Sequence, residues 1–255
     1  MNSGSNPSLP PSRGRESYLA AVFDNLPNTY SPSNKKPTFA GMSISLKNKF
    51  DSIIFDLDGT LWDSTANVAI AWQKAEQEVD YVQKEFTVDT IKSITGMTYK
   101  AIFEVLLPEL DENQREEFKA IAAKYEIETL DEKGGELYPQ LEFVLQELQK
   151  TYKLFIVSNC QNDYIETFLN FSQLGHYFLG HQCYGTKNAP KAENIMDIVN
   201  DHQLKAPVYV GDTMGDFTST QKAGVPFIFA AYGFGKVEKG QVATIEHFTD
   251  LLEIL

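Results

Sequence analysis

Four aspartates, one lysine and a serine–asparagine pair are the residues of this chain whose types and spacing can do chemistry. Asp56 and Asp58 stand two apart in IIFDLDGTLWDS (53–64), directly after an unbroken apolar run. Asp212 and Asp216 stand four apart in VYVGDTMGD (208–216). Ser158 and Asn159 end KLFIVSN (153–159), and Lys191 opens KAENI. Carboxylates are costly to bury unless something compensates them. Gathered together, Asp56, Asp58, Asp212 and Asp216 would repel, raising their pKa values or demanding a cation. Hard oxygen donors without His or Cys suit Mg2+, which keeps several waters and takes a few protein oxygens plus substrate phosphate.

On an extended strand, residues i and i+2 face the same side. One of the pair Asp56/Asp58 can then attack while the other handles a proton. Carboxylate nucleophiles carry phosphoryl groups as aspartyl-phosphates. The second carboxyl would protonate the leaving oxygen and later activate water. The phosphate needs donors and positive charge. Gly59 and Thr60 supply a tight turn with backbone N–H groups, Ser158 a hydroxyl and Asn159 an amide. Lys191 sits at the start of an expected helix, where its ammonium and the helix N-terminus both favour an anion. The expected partner is a small phosphorylated substrate.

These residues need elements to position them. FDSIIF (50–55), KLFIVSN (153–159), APVYVGD (206–212) and VPFIFAAYG (225–233) read as apolar strands, and HQCYG (181–185) as a short edge strand. Helices are expected at about 139–150 and 192–200. Apolar strands separated by helices indicate a parallel sheet covered on both faces. The fold class is α/β, a Rossmann-like parallel sheet. In such sheets the ligand sits beyond the carboxyl ends of the strands, which is where the polar residues fall.

Between the first two strands, residues 64–137 read as helical throughout. Val68, Trp72, Ala75 and Val79 fall on one helix face, Ile102, Phe103, Leu106 and Leu107 make a second stripe, and Phe118, Ile121, Ala122 and Tyr125 a third. DENQREEFK (111–119) reads as the start and solvated face of the third helix. TGMT, comprising Thr95, Gly96, Met97 and Thr98, falls between helices, where a loop can reach a substrate or simply make a turn. Trp62 and Trp72 read as core residues, and the cysteines and histidines as structural or surface residues. The expected organisation is an arm at 1–41, an α/β core at 45–63 and 138–255, and a small helical domain at 64–137.

The formal net charge of the 255 residues is -13. The first fifty carry six Lys/Arg against two Asp/Glu, so the acidic excess lies in the remainder. That excess argues against nucleic acid, whose affinity is dominated by phosphate contacts. No apolar run reaches the roughly 18 residues of a membrane helix. Two scattered cysteines, Cys160 and Cys183, favour a reducing compartment, and no signal segment is read, so a cytoplasmic location is expected. The Ser-, Pro- and Asn-rich stretch 1–41 cannot bury enough apolar surface to order itself. SYLAAVFDNL within it is apolar enough to dock as a helical turn, and Met42 would serve as a start.

DLDGT, the strand-ending SN, the isolated Lys191 and GDTMGD, in that order, resemble the four motifs of the haloacid dehalogenase (HAD) superfamily. The likeness covers roughly 50–255 and is nearest to the phosphoglycolate phosphatase-like branch, whose C-terminal segment VYVGDTMGD…AGVPFIFAAYGFG is similar. The resemblance implies a phosphatase. Asp56 would be nucleophile and metal ligand, and Asp58 the acid/base, with its backbone carbonyl on the metal. Ser158 would bind the phosphoryl group and Lys191 hold nucleophile and phosphate together. Asp212 would be a metal ligand and Asp216 a ligand or its support. The insertion occupies the slot of the family's helical cap. Lys187 is an alternative to Lys191, disfavoured because KAENI leads into the helix before VYVGD. Asp58 argues against a dehalogenase, and Thr60 argues against a sugar-phosphate phosphomutase. A non-catalytic phospho-acceptor domain would lack both the insertion and the second carboxyl.

Overall fold

The computed structural model describes residues 45–255. The expectations for the arm, its helical turn and Met42 lie outside the described residues. Six strands form one parallel sheet, and they are buried where the sequence is continuously apolar. The first, β1 (Ser52–Phe55), is buried at every position. Each fully buried side chain of its Ile53, Ile54 and Phe55 is worth roughly 1.5–3 kcal/mol. A two-stranded antiparallel pair, β2 (Trp62–Asp63) and β3 (Glu136–Leu137), lies apart from this sheet. The sheet continues with β4 (Lys153–Ser158), β5 (His181–Cys183), β6 (Pro207–Gly211), β7 (Phe227–Ala230) and β8 (Ala243–Ile245). The order is β5-β4-β1-β6-β7-β8. The α/β class and the edge position of the HQC strand are as expected. Strand β8 was not read from ATI, because three residues at an edge show no apolar run.

The register aligns the strand ends. Phe55 pairs with Ile156 on one side and Val210 on the other. Asp56, Ser158 and Asp212 therefore emerge within about one residue of each other along a common edge. From β1 the chain passes to β4, whereas from β6 it passes to β7. The connections diverge between β1 and β6, which opens a crevice at their carboxyl ends.

Between β2 and β3 come four helices: α1 (Thr65–Glu76), α2 (Val88–Ile94), α3 (Tyr99–Leu106) and α4 (Glu112–Lys133). The pair β2–β3 thus ties the two ends of this helical insertion together. Asp111 and Gln114 form a capping box that starts α4, which fixes its boundary within the charged run. The expected stripes are buried at Val68, Trp72, Ala75, Ile102, Phe103, Phe118 and Ala122. Leu107 is buried too, whereas Val79, Leu106, Ile121 and Tyr125 are only half-buried; α1 stops at Glu76, so Val79 lies past its end. Aromatic rings fill the interior: Trp72 lies 5.1 Å from Phe103 and 5.5 Å from Phe86, and Phe118 packs on both partners.

The remaining helices cover the sheet: α5 (Leu141–Leu148), α6 (Tyr164–Ser172), the one-turn α7 (Tyr184–Lys187), α8 (Lys191–Asp201), α9 (Met214–Ala223) and the short α10 (Leu251–Ile254). α8 packs Ile195 and Ile198 against Ile54, Phe155 and Tyr209. No described helix is long and apolar enough to cross a membrane.

Candidate active site

Asp56 follows the last residue of β1 and is only 2% exposed. Its amide donates to Val210 O at 2.8 Å, so pairing with β6 continues one residue past the strand. Lys191, the first residue of α8, is equally buried. Its Nζ donates to Asp56 Oδ1 at 2.9 Å and to Asp216 Oδ1 at 2.5 Å. The choice between the two lysines is therefore a matter of packing. Lys187 is half-exposed and paired with Asp197 at 2.7 Å. Burial alone would lower the Lys191 pKa, but the carboxylates of Asp216 and Asp56 more than reverse this, and it stays charged.

Asp216 is fixed from both sides. Thr213 donates its amide (2.9 Å) and its hydroxyl (2.6 Å) to Asp216 Oδ2, and Asp216 N donates back to Thr213 Oγ1, capping α9. Asp212 is fully buried, with Phe234 N donating to Oδ2 at 2.7 Å and Thr60 Oγ1 to Oδ1 at 3.4 Å. Carboxylate oxygens of Asp56, Asp212 and Asp216 lie within 4.8 Å of one another. Three acidic groups share one lysine. Burial, then the charge of Asp216, push Asp56 up to about 7, and burial raises Asp212 well above the usual carboxylate range. Such a cluster of hard oxygens, two positive charges short of balance when all three carboxyls are ionised, fits a divalent cation of the magnesium kind.

Asp58 stands apart from this trio. It lies beyond the end of β1, so the expected alternation along a strand does not orient it; a turn does. Trp62 Nε1 (3.0 Å), Ser64 Oγ (2.7 Å) and Tyr164 OH (2.9 Å) all approach its Oδ1. The crowding of four carboxyls thus reduces to three, with Asp58 in its own cradle. Burial raises its pKa, against the hydrogen bonds from Ser64, Tyr164 and Trp62. Its second oxygen, Oδ2, receives none of these bonds, which suits a group that takes and gives a proton.

Gly59 and Thr60 do something other than present free N–H groups. Gly59 N donates to Trp62 O at 2.9 Å and Thr60 N to Leu57 O at 3.2 Å, so the turn consumes both amides. Gly59 has φ +81°, and a Cβ there would stand 2.3 Å from Asp212 Oδ2. Glycine is needed because the loop closes directly onto Asp212. Thr60 is fully buried and supports Asp212.

Asp56, Asp58, Ser158, Asn159 and Cys160 line one cavity of about 60 Å3 with residues of the insertion. That is room for a few water-sized groups. Thr95, Gly96 and Met97 form part of its wall. Thr98 does not: its hydroxyl accepts from Ala101 N and caps α3. Asn159 Nδ2 donates to Gly96 O at 2.8 Å, tying the loop to the sheet edge. Its Oδ1 is buried without a partner. Gly96 has φ +89° and lies so close to Thr213 that a Cβ would come within 2.9 Å of the threonine methyl. Trp62 and Trp72 are core residues, as expected, yet each also serves a carboxyl through its indole N–H: Asp58 for Trp62, and Glu126 for Trp72 at 2.6 Å.

A family model described as haloacid dehalogenase-like hydrolase matches residues 53–230. The chain belongs to that family. The phosphoglycolate phosphatase of Aquifex aeolicus is 28% identical over 211 residues, covering 80% of this chain and 95% of the relative. That of Aliivibrio fischeri is 28% identical over 200 residues, covering 73% and 86%. A haloacid dehalogenase-like family hydrolase of Streptococcus pneumoniae shares the fold, with TM-score 0.67 at 24% identity, over 80% of this chain and 98% of that one.

Several residues of this hydrolase were not singled out from the sequence. Ser64 lies within the quoted first motif, but nothing in its type marks it as a partner of Asp58. Tyr164 comes from α6, 106 positions away from Asp58. Glu126 had a readable signal. The buried stripe of α4 through Phe118 and Ala122 continues one turn on to Glu126, which places a carboxyl on an apolar face.

Proposed function

We propose that the protein is a magnesium-dependent phosphatase of small phosphomonoesters that works through an aspartyl-phosphate on Asp56. The observation that carries this reading is the arrangement of Asp56. Its carboxyl is gripped by Lys191, sits in the acidic trio and faces a cavity shared with Asp58.

Asp56 attacks phosphorus, the ester P–O bond breaks, and Asp58 gives its proton to the departing alcohol oxygen. Asp58, now a carboxylate, takes a proton from water. That water attacks phosphorus, releases inorganic phosphate and restores Asp56. Lys191 favours the charged form of Asp56 against its burial and contributes positive charge beside the phosphoryl oxygens, and the Ser158 hydroxyl offers them a hydrogen bond. Asp56 and Asp212, with Asp216 at hand, would hold Mg2+, which when bound neutralises phosphoryl charge. The helices of 64–137 act as a cap over the site, with Thr95, Gly96 and Met97 on the substrate side. The names of the relatives make phosphoglycolate the first substrate to assay.

The test is release of inorganic phosphate from a panel of small phosphomonoesters, with and without magnesium. Wild type is expected to turn over only with the metal. Asp56→Asn is expected to lose at least about 10⁴-fold in turnover, as a displaced covalent nucleophile does, while keeping its thermal midpoint. An Asp56→Asn protein as active as wild type would sink the aspartyl-phosphate.

A further inference from the structure

Glu126 is a carboxyl group that the chemistry above does not use. It comes from the middle of α4 in the insertion, is 4% exposed, and lines the same cavity as Asp56 and Asp58. The charged residues in that lining are Asp56, Asp58 and Glu126, and no Lys, Arg or His is among them. Lys191, the nearest cation of the catalytic machinery, is engaged by Asp56 and Asp216. Trp72 Nε1 (2.6 Å) and Tyr99 OH (3.4 Å) both approach one oxygen, Glu126 Oε2. Both are neutral donors, and no ion pair within 4.0 Å reaches Glu126 among the described residues. The neutral side chain of Gln161 also hydrogen-bonds the Glu126 carboxyl. A carboxylate accepts about four hydrogen bonds, so acceptor capacity remains for a ligand.

A buried carboxyl lacking a protein cation is expensive as an anion. Burial accordingly pushes Glu126 up to about 8. A ligand cation would relieve that cost on entering the cavity. Trp72 and Tyr99, both in the cavity wall, have ring centroids 6.4 Å apart, edge to face. Both rings turn their donor edges to Glu126 Oε2, so they hold the carboxyl in the cavity wall, and the carboxylate is the group that would meet the cation. Phosphoglycolate would bring a second carboxylate to this wall and find no cation there.

We propose that Glu126, Trp72 and Tyr99 form an ammonium-binding subsite, and that the preferred substrate is a phosphomonoester of a short amino alcohol. The proposal rests on the phosphatase reading. The small cavity confines the alcohol to a few heavy atoms.

Three two-carbon phosphomonoesters of matched size test it: phosphoethanolamine, 2-hydroxyethyl phosphate and 2-phosphoglycolate. Steady-state kcat/KM is measured with magnesium for wild type and Glu126→Gln, which is isosteric and keeps an acceptor for Trp72. In wild type, phosphoethanolamine is expected to exceed 2-phosphoglycolate by about 10- to 100-fold, the worth of a charged hydrogen bond. In Glu126→Gln the amine-to-hydroxyl ratio is expected to shrink by about the same factor, chiefly through the KM of the amine. A wild-type preference for 2-phosphoglycolate, or an unchanged ratio in the variant, overturns the subsite. If the variant does not fold, the wild-type order decides alone. p-Nitrophenyl phosphate separates the two readings. Hydrolysis of it that disappears in Asp56→Asn, with no order among the three esters, rejects the subsite only. No hydrolysis of any ester by wild type rejects the phosphatase reading and the subsite with it.

Discussion

The sheet edge and the helical insertion meet at one cavity but treat their buried carboxyls differently. At the sheet edge, Asp56 and Asp216 share the ammonium of Lys191, and Asp216 is fixed further by the capping box of Thr213. In the insertion, Glu126 has an indole, a phenol and the Gln161 side chain, all neutral, and no ion pair among the described residues. The edge has a built-in countercharge and still has acid in excess, as a site for a metal and a phosphate should. The insertion wall supplies acid with hydrogen bonds but no countercharge. On the proposed reading, the difference separates a part that performs a fixed reaction from a part that sorts what is brought to it. Asp58 belongs to the edge in the proposed reaction, yet its pKa is raised by burial in the manner of Glu126, and its three partners are neutral donors too.

The largest expected effect comes from removing the countercharge. Lys191→Met leaves three buried carboxyls without a cation, and stability in urea is expected to fall by about 3–5 kcal/mol. Added magnesium should restore part of that loss, since a cation that binds only the folded state stabilises it. Equal loss with and without magnesium would contradict the shared-charge description of the edge. Asp58→Asn is expected to slow turnover by about 10²–10⁴-fold. The loss should be smallest for p-nitrophenyl phosphate, whose leaving group needs no proton. A uniform loss across leaving groups would remove the acid role from Asp58.

Glu126 sharpens the comparison through pH. Its folded pKa of about 8 lies above that of an unfolded glutamate, so ionising it opposes folding. The stability that comes from its protonation is full below about pH 4.5 and is lost as pH rises toward 8. Glu126→Gln removes this loss. The variant is expected to match wild type near pH 5 and to be more stable by roughly 1–3 kcal/mol at pH 8. A difference independent of pH would show that Glu126 is already compensated. Thermal melts of both proteins across that range decide it.

The sequence by itself determined the sheet and which polar residues stand at its carboxyl edge. Apolar runs such as IIF and VYVG can be satisfied only by burial on both faces, and a strand that must be buried can end only where polar residues begin. Asp56, Ser158 and Asp212 were therefore readable as strand ends. The β1–β4 and β1–β6 registers, which bring those ends level, were not written locally. What only the tertiary structure decided was which groups touch. Lys191 rather than Lys187 enters the core, Gly59 serves the close approach of Asp212 rather than offering its amide, and Thr98 caps a helix while its neighbours face the cavity. Tyr164 reaches Asp58 across 106 positions, and Glu126 meets the same cavity from another helix. The physical reason is that periodicity records which face of an element avoids water. It carries no information on what that face meets, and the partner is what fixes the charge and proton affinity of a buried group.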